Sequence, residues 1–184
     1  MADLRNQYLE HLVGLNESFD YVLVMDFDVD RISLQGVLNS FSRIKEWEVV
    51  TAYGYSTGPN LKERYHDSYA LVPLGQENLV QTETSIKVLQ PAWRLDKNDT
   101  QLRSVYAAYG GLSIYKYPLL KQLRYQVLEN EDSKVEVRCE HFSICHQLQQ
   151  SGITMIMVNP QMHLRYQTLW EAIKRVLSSL TNAG

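Results

Sequence analysis

The chain has 184 residues, 45% of them hydrophobic and 21% charged, which is one globular domain's worth and excludes a disordered tail. A net charge of −3 and a pI near 5.9 exclude the basic field that binds nucleic acid or anionic membrane. Two cysteines, Cys139 and Cys145, cannot staple a secreted scaffold, and no apolar stretch resembles a signal peptide or a spanning helix, so the sequence predicts a soluble cytoplasmic domain covering 1–184.

Leu4, Tyr8, Leu12 and Leu15 recur at helical spacing and predict an amphipathic helix from Asp3 to Leu15. Tyr21 to Met25 is wholly apolar, the pattern of a strand buried on both faces of a parallel sheet. Ser33 caps a second helix with Leu34, Val37, Leu38, Phe41 and Ile44 on one face. Val49 to Tyr53 is a strand, and Gly54 to His66 reads as a long loop. Tyr69 to Val72 is a strand candidate, and Val88 to Arg103 shows no assignable pattern. Ser104 to Tyr109 and Leu112 to Tyr117 are strands around Gly110-Gly111, followed by a short helix opened by Pro118.

Further on, Glu129 to Lys134 is a charged turn and Val135 to Arg138 a strand. His141 to Gln150 is a helix stopped by Gly152, and Ile153 to Val158 a buried strand closed by Asn159-Pro160. Thr168 to Glu171 has capping-box spacing and opens a last helix, about 168–180. Alternating helices and buried strands predict an α/β fold with a mostly parallel central sheet. Twelve tyrosines against four phenylalanines is the compositional oddity, suited to surfaces that are half apolar and half wet.

Asp26, Asp28 and Asp30 directly follow the apolar strand, where open α/β sheets bind ligands. Clustered carboxylates suit a hard cation with phosphate co-ligands; equally, an acidic turn can cap the following helix. Cys139, His141, Cys145 and His146 lack zinc-site spacing. Neither a phosphate-binding loop nor a nucleophile-elbow motif occurs.

These residues carry a resemblance. Arg-Asn-x-Tyr-Leu at 5–9, Tyr-Val-Leu-Val-Met-Asp-Phe-Asp-Val at 21–29 and Trp-Glu-Val-Val-Thr-Ala-Tyr-Gly at 47–54 resemble nucleotide-sugar glycosyltransferases of the GT-A fold. So do His-Asp-Ser-Tyr-Ala-Leu at 66–71, Ala-Tyr-Gly-Gly-Leu-Ser-Ile-Tyr at 108–115, Cys-Glu-His at 139–141 and the segment 152–160. The series is most similar to fungal capsule-associated mannosyltransferases and to glycosyltransferase domains of large algal viruses. The resemblance implies a UDP- or GDP-sugar donor, a glycan or glycoprotein acceptor, Mn²⁺ or Mg²⁺, and a retaining reaction that builds polysaccharide or glycoprotein glycan. It implies Asp28 as metal ligand and Asp26 as facing the ribose or a metal-bound water. Arg5 and Asn6 fall on the nucleotide, and Gly110-Gly111 beside the donor sugar, where a plain tight turn is the other reading. His163 would complete the metal shell, or is a surface loop histidine.

Glu140 and His141, at a strand-to-helix junction, are the acceptor-side catalytic candidates; a carboxylate in a first helical turn is also favourable in its own right. The same cluster could serve a nucleotidyl- or phosphotransferase, or persist in a non-catalytic binding domain. Enzymes of the GT-A fold place nucleotide-binding strand and helix units ahead of the Arg-Asn helix. Here that helix starts near Met1, which implies missing N-terminal units or a longer parent chain, with an exposed sheet edge suited to a homo-oligomer or another partner.

Overall fold

A computed structural model of the chain describes residues 1–57, 62–78, 81–129, 138–166 and 173–174. In chain order the elements are α1 (Ala2–Gly14), β1 (Tyr21–Met25), β2 (Arg31–Ile32), α2 (Leu34–Ser42), β3 (Val49–Thr57), β4 (Glu63–Tyr65) and β5 (Val72–Pro73). They continue with α3 (Glu83–Leu89), β6 (Arg103–Ala107), β7 (Leu112–Lys116), α4 (Tyr117–Leu120), α5 (Glu140–Gln150) and β8 (Ile156–Arg165). The expected strand at 135–138 and helix at 168–180 lie outside the described residues, apart from Arg138 and residues 173 and 174.

The strands form one open sheet in the order β1-β7-β3-β8-β6-β5, with β2 on β8 and β4 on β3. Helices flank it, so the fold is mixed α and β as expected. The parallel expectation is overturned. Only β3 and β8 run parallel; β1–β7, β3–β7, β6–β8, β5–β6, β2–β8 and β3–β4 are all antiparallel. Short apolar runs look the same in either sense, because burial on both faces, not strand direction, makes a strand continuously apolar.

Central β3 shows that double burial: Val49 to Gly54 are all buried. Val49 and Tyr53 face a core with Leu9 of α1 and Phe142, Ile144 and Leu148 of α5. Val50 and Ala52 face the opposite core with Trp47, Ile114 and Met162, covered by Val37 and Phe41 of α2. The two-residue period of a strand thus sorts its side chains between two helical layers.

Tyr21 to Met25 is a strand, but an edge strand rather than one buried on both faces. Among the described strands it pairs only with β7, and Leu23 and Met25 are exposed. The expected loop from Gly54 begins as strand, since β3 runs to Thr57 and pairs back with β4. Likewise β8 does not stop at Asn159-Pro160. Its register against β3 jumps from Asn159 to His163, so a bulge absorbs the proline and the strand continues. Ser33 caps α2 as expected, accepting the Gly36 N–H at 3.1 Å. Gly36 then lets α2 lie on β8: a Cβ there would sit 1.9 Å from the Gln161 carbonyl oxygen.

Candidate functional site

Asp26 directly follows β1. Its N–H donates to the Gly111 carbonyl at 2.9 Å, which extends the β1–β7 pairing and fixes the carboxylate at the strand's end. Three donors converge on that carboxylate. The Tyr166 hydroxyl donates to Oδ2 at 2.7 Å, and the Tyr109 hydroxyl to Oδ1 at 3.0 Å. An Arg5 guanidinium N–H reaches Oδ1 at 3.4 Å, while Arg5 Nε donates to Glu140 Oε1 at 2.8 Å. Residues far apart in sequence thereby become neighbours around one strand end.

The chemistry of these groups follows from their surroundings. Burial first, and the Asp26 anion with it, pushes the Tyr109 and Tyr166 hydroxyls well up, so both remain protonated donors. Burial, the largest single effect, would lower Arg5, but the Glu140 hydrogen bond together with the charge interactions of Tyr109, Glu140 and Tyr125 outweighs it and holds the guanidinium above its ordinary value.

Gly110 and Gly111 sit at positive φ, +64° and +83°. A Cβ on Gly111 would lie 2.1 Å from the Tyr166 hydroxyl, and one on Gly110 2.0 Å from the Ala52 carbonyl oxygen. The glycine pair therefore makes a close backbone approach, and what it approaches is the protein's own Tyr166 and β3.

His141 is 2% exposed and stacks on Tyr109, with ring centroids 3.4 Å apart, while Tyr125 meets it edge-on. Neither ring nitrogen has a hydrogen-bond partner among the described residues. Burial, then the Arg5 charge, lowers it well below the usual histidine range. It is a neutral plate behind Tyr109. Asn6 spends its amide on the chain: Nδ2 donates to the Tyr125 carbonyl at 2.9 Å and Oδ1 accepts the Tyr125 N–H at 2.8 Å. That two-pronged clamp fixes α1, and with it Arg5.

The sequence reading passed over Asp67. Its carboxylate accepts the Gly110 N–H, and its Oδ2 is sealed from solvent without a partner among the described residues. Burial, then Asp26, pushes it up to about 7, with Glu140 adding and Arg5 opposing. Tyr109 and Tyr166 were passed over too. For Tyr166 the only advance signal was the excess of tyrosine over phenylalanine, and Tyr109 stands within the quoted 108–115 segment without a role assigned to it.

Of the expected residues, Arg5, Asn6, Asp26, Gly110, Gly111, Glu140 and His141 come together. Asp28 is exposed and, among the described residues, makes no hydrogen bond or ion pair. Asp30 pairs with Arg165. His163 lies on β8 with Tyr55, and with Lys97 and Glu63 near enough to act on its charge. Its contacts do not include Asp26 or Asp28.

Among the described residues no three His, Cys, Asp or Glu side chains are grouped to hold a metal ion, and both Asp26 oxygens are engaged. Asp28 has its carboxylate free. Mg²⁺-like cations commonly rest on one or two carboxylates plus substrate phosphates, so the residues fit a cation that arrives with a phosphorylated ligand rather than a protein-only metal centre.

Compared with known protein families and with curated protein sequences, the chain matches none of them. Among the described residues no helix is long and apolar enough to cross a membrane.

Proposed function

We propose that this chain is a glycosyltransferase that takes a UDP- or GDP-linked sugar and passes the sugar to a glycan or glycoprotein acceptor. The observation that carries the reading is the convergence of Arg5, Asp26, Asp67 and Glu140 at the end of β1, with Asp28 exposed two residues beyond. Carboxylates outnumber the one arginine there, a surplus of negative charge suited to a cation-bound diphosphate.

Asp28 would hold Mn²⁺ or Mg²⁺ together with the donor's phosphates. When bound, the ion supplies positive charge against that gathering on the departing diphosphate. Arg5, fixed by Asn6 and by its two carboxylate partners, orients Glu140 through Oε1. Glu140 Oε2, whose one partner among the described residues is the weakly donating Cys139 thiol at 3.8 Å, would accept a proton from the acceptor hydroxyl. His141, neutral and buried, holds Tyr109 against Asp26 and acts by positioning.

The test is product analysis on a panel of nucleotide sugars with Mn²⁺ or Mg²⁺ and a mixed glycan acceptor. Release of nucleoside diphosphate that depends on Glu140 supports the reading. Release of sugar 1-phosphate instead, with the nucleotide passed on, would make the chain a nucleotidyltransferase using the same cluster, and metal-dependent binding without turnover would make it a binding domain.

A further inference from the structure

The sheet ends at β1, which pairs with β7 alone among the described strands. The Asp26 N–H and the Asp20 carbonyl both bond toward the β7 side. Peptide groups alternate sides along a strand, so Tyr21, Leu23 and Met25 turn their N–H and C=O groups away from the sheet. Edge strands are ordinarily blunted by a charge, a proline or a bulge. Tyr21–Met25 has none of these, and Leu23 is 49% exposed.

Beside this edge, between β1 and α1, runs a groove of about 580 Å³ lined by Leu4, Tyr8, Leu12, Val22 and Val24, and reaching Arg5 and Asp26 of the candidate site. It has room for the alternate side chains on one face of a short added strand. The charge of the segment that forms this edge and groove is one-sided. Residues 1–30 hold seven acidic side chains and one arginine, a net −6 in a chain of net −3, so the other 154 residues carry +3. Arg5 is committed to Glu140 and Asp26, while Asp3, Glu10, Glu17, Asp20 and Asp28 are exposed.

We propose that the β1 edge and the α1 groove bind an extended polypeptide segment, apolar at alternate positions and basic at its flanks, as an added strand. The outward peptide groups of Tyr21, Leu23 and Met25 supply main-chain hydrogen bonds, the groove takes alternate side chains, and the exposed carboxylates before and after β1, Asp20 and Asp28, select the basic flanks. A second copy of this chain fits less well. Antiparallel pairing of two β1 strands would set Asp20 of one against Asp26 of the other, and like charges placed opposite destabilise a sheet.

The probe is the blocked heptapeptide Lys-Val-Thr-Val-Thr-Val-Lys, titrated into the ¹⁵N-labelled full chain, with a Glu-flanked version as comparison. The proposal expects saturable shifts centred on the amides of residues 21, 23 and 25, and slowed exchange of those amides. It expects affinity about tenfold weaker for the Glu-flanked peptide and for Leu23→Lys, which places a charge on the edge. Leu23 is half exposed, so Leu23→Lys should melt as the unmutated chain does, which separates lost binding from lost fold. No shifts at β1, or equal binding of both peptides, overturns the proposal. So does a dimer in solution whose β1 amides are already protected, since a second copy would then occupy the edge.

Discussion

The Tyr166 hydroxyl donates to Asp26 Oδ2 at 2.7 Å across 140 residues of chain. A hydrogen bond to a charged group contributes roughly 1.5–3 kcal/mol. Tyr166→Phe should therefore lower the unfolding free energy by about that much, read from urea denaturation. Tyr109 donates to the same carboxylate, so a Tyr109→Phe, Tyr166→Phe double-mutant cycle should show coupling, not additivity.

Gly111 tests the same contact from the backbone side. Its positive φ and the 2.1 Å separation of a built Cβ from the Tyr166 hydroxyl mean that Gly111→Ala must both strain the turn and displace Tyr166. A loss of about 2 kcal/mol or more is expected. Gly14→Ala, at the end of α1 with nothing within 4 Å of its Cβ, should instead be neutral or stabilise by up to about 1 kcal/mol. Thermal melts of the two variants compare them directly.

Asp67 gives a pH dependence. Its carboxyl is pushed from 3.8 up to about 7, by burial and then by Asp26. Between those values the unfolded chain has released the proton while the native one keeps it, so stability falls as pH rises through that window and is level above it. Asp67→Asn should match the unmutated chain near pH 4 and exceed it by roughly 1–3 kcal/mol at pH 8. Urea midpoints measured across that range would show the slope flattening in the variant.

How much of this was legible in the sequence depends on what each feature needs. Helices α1, α2 and α5 were readable in position because caps and breakers are local: Ser33 and Gly152 do what their chemistry predicts. Their expected faces were not: Leu4, Leu15, Leu34 and Leu38 are exposed, and α1 buries Ala2 and Leu9 instead. Strand positions were readable for β3 and β7 from apolar runs. Strand sense was not, because pairing partners lie far apart in sequence. Tyr21–Met25 misled for a physical reason: an edge strand without blunting charges has the same apolar composition as a central one.

At the site, Asp26 and Glu140 were found because each sits at an element's end or first turn, where function-bearing residues are sought, and Arg5 because the Arg-Asn segment resembles that of the nucleotide-sugar glycosyltransferases. Asp67, Tyr109 and Tyr166 meet Asp26 through the tertiary fold, and no spacing marks them. Asn6 and the glycine pair were singled out as ligand-facing, and their contacts are with Tyr125, Tyr166 and Ala52.

The most direct test of the proposed function is the melting temperature of the chain with a panel of UDP- and GDP-sugars, each with and without Mn²⁺ or Mg²⁺. At least one donor should raise it by about 3 °C or more at saturation, and only with the cation present. Asp28→Asn should abolish that rise while melting as the unmutated chain does without ligand, because Asp28 is exposed and makes no bond to the fold among the described residues. No shift from any donor with either cation in the unmutated chain would contradict the account.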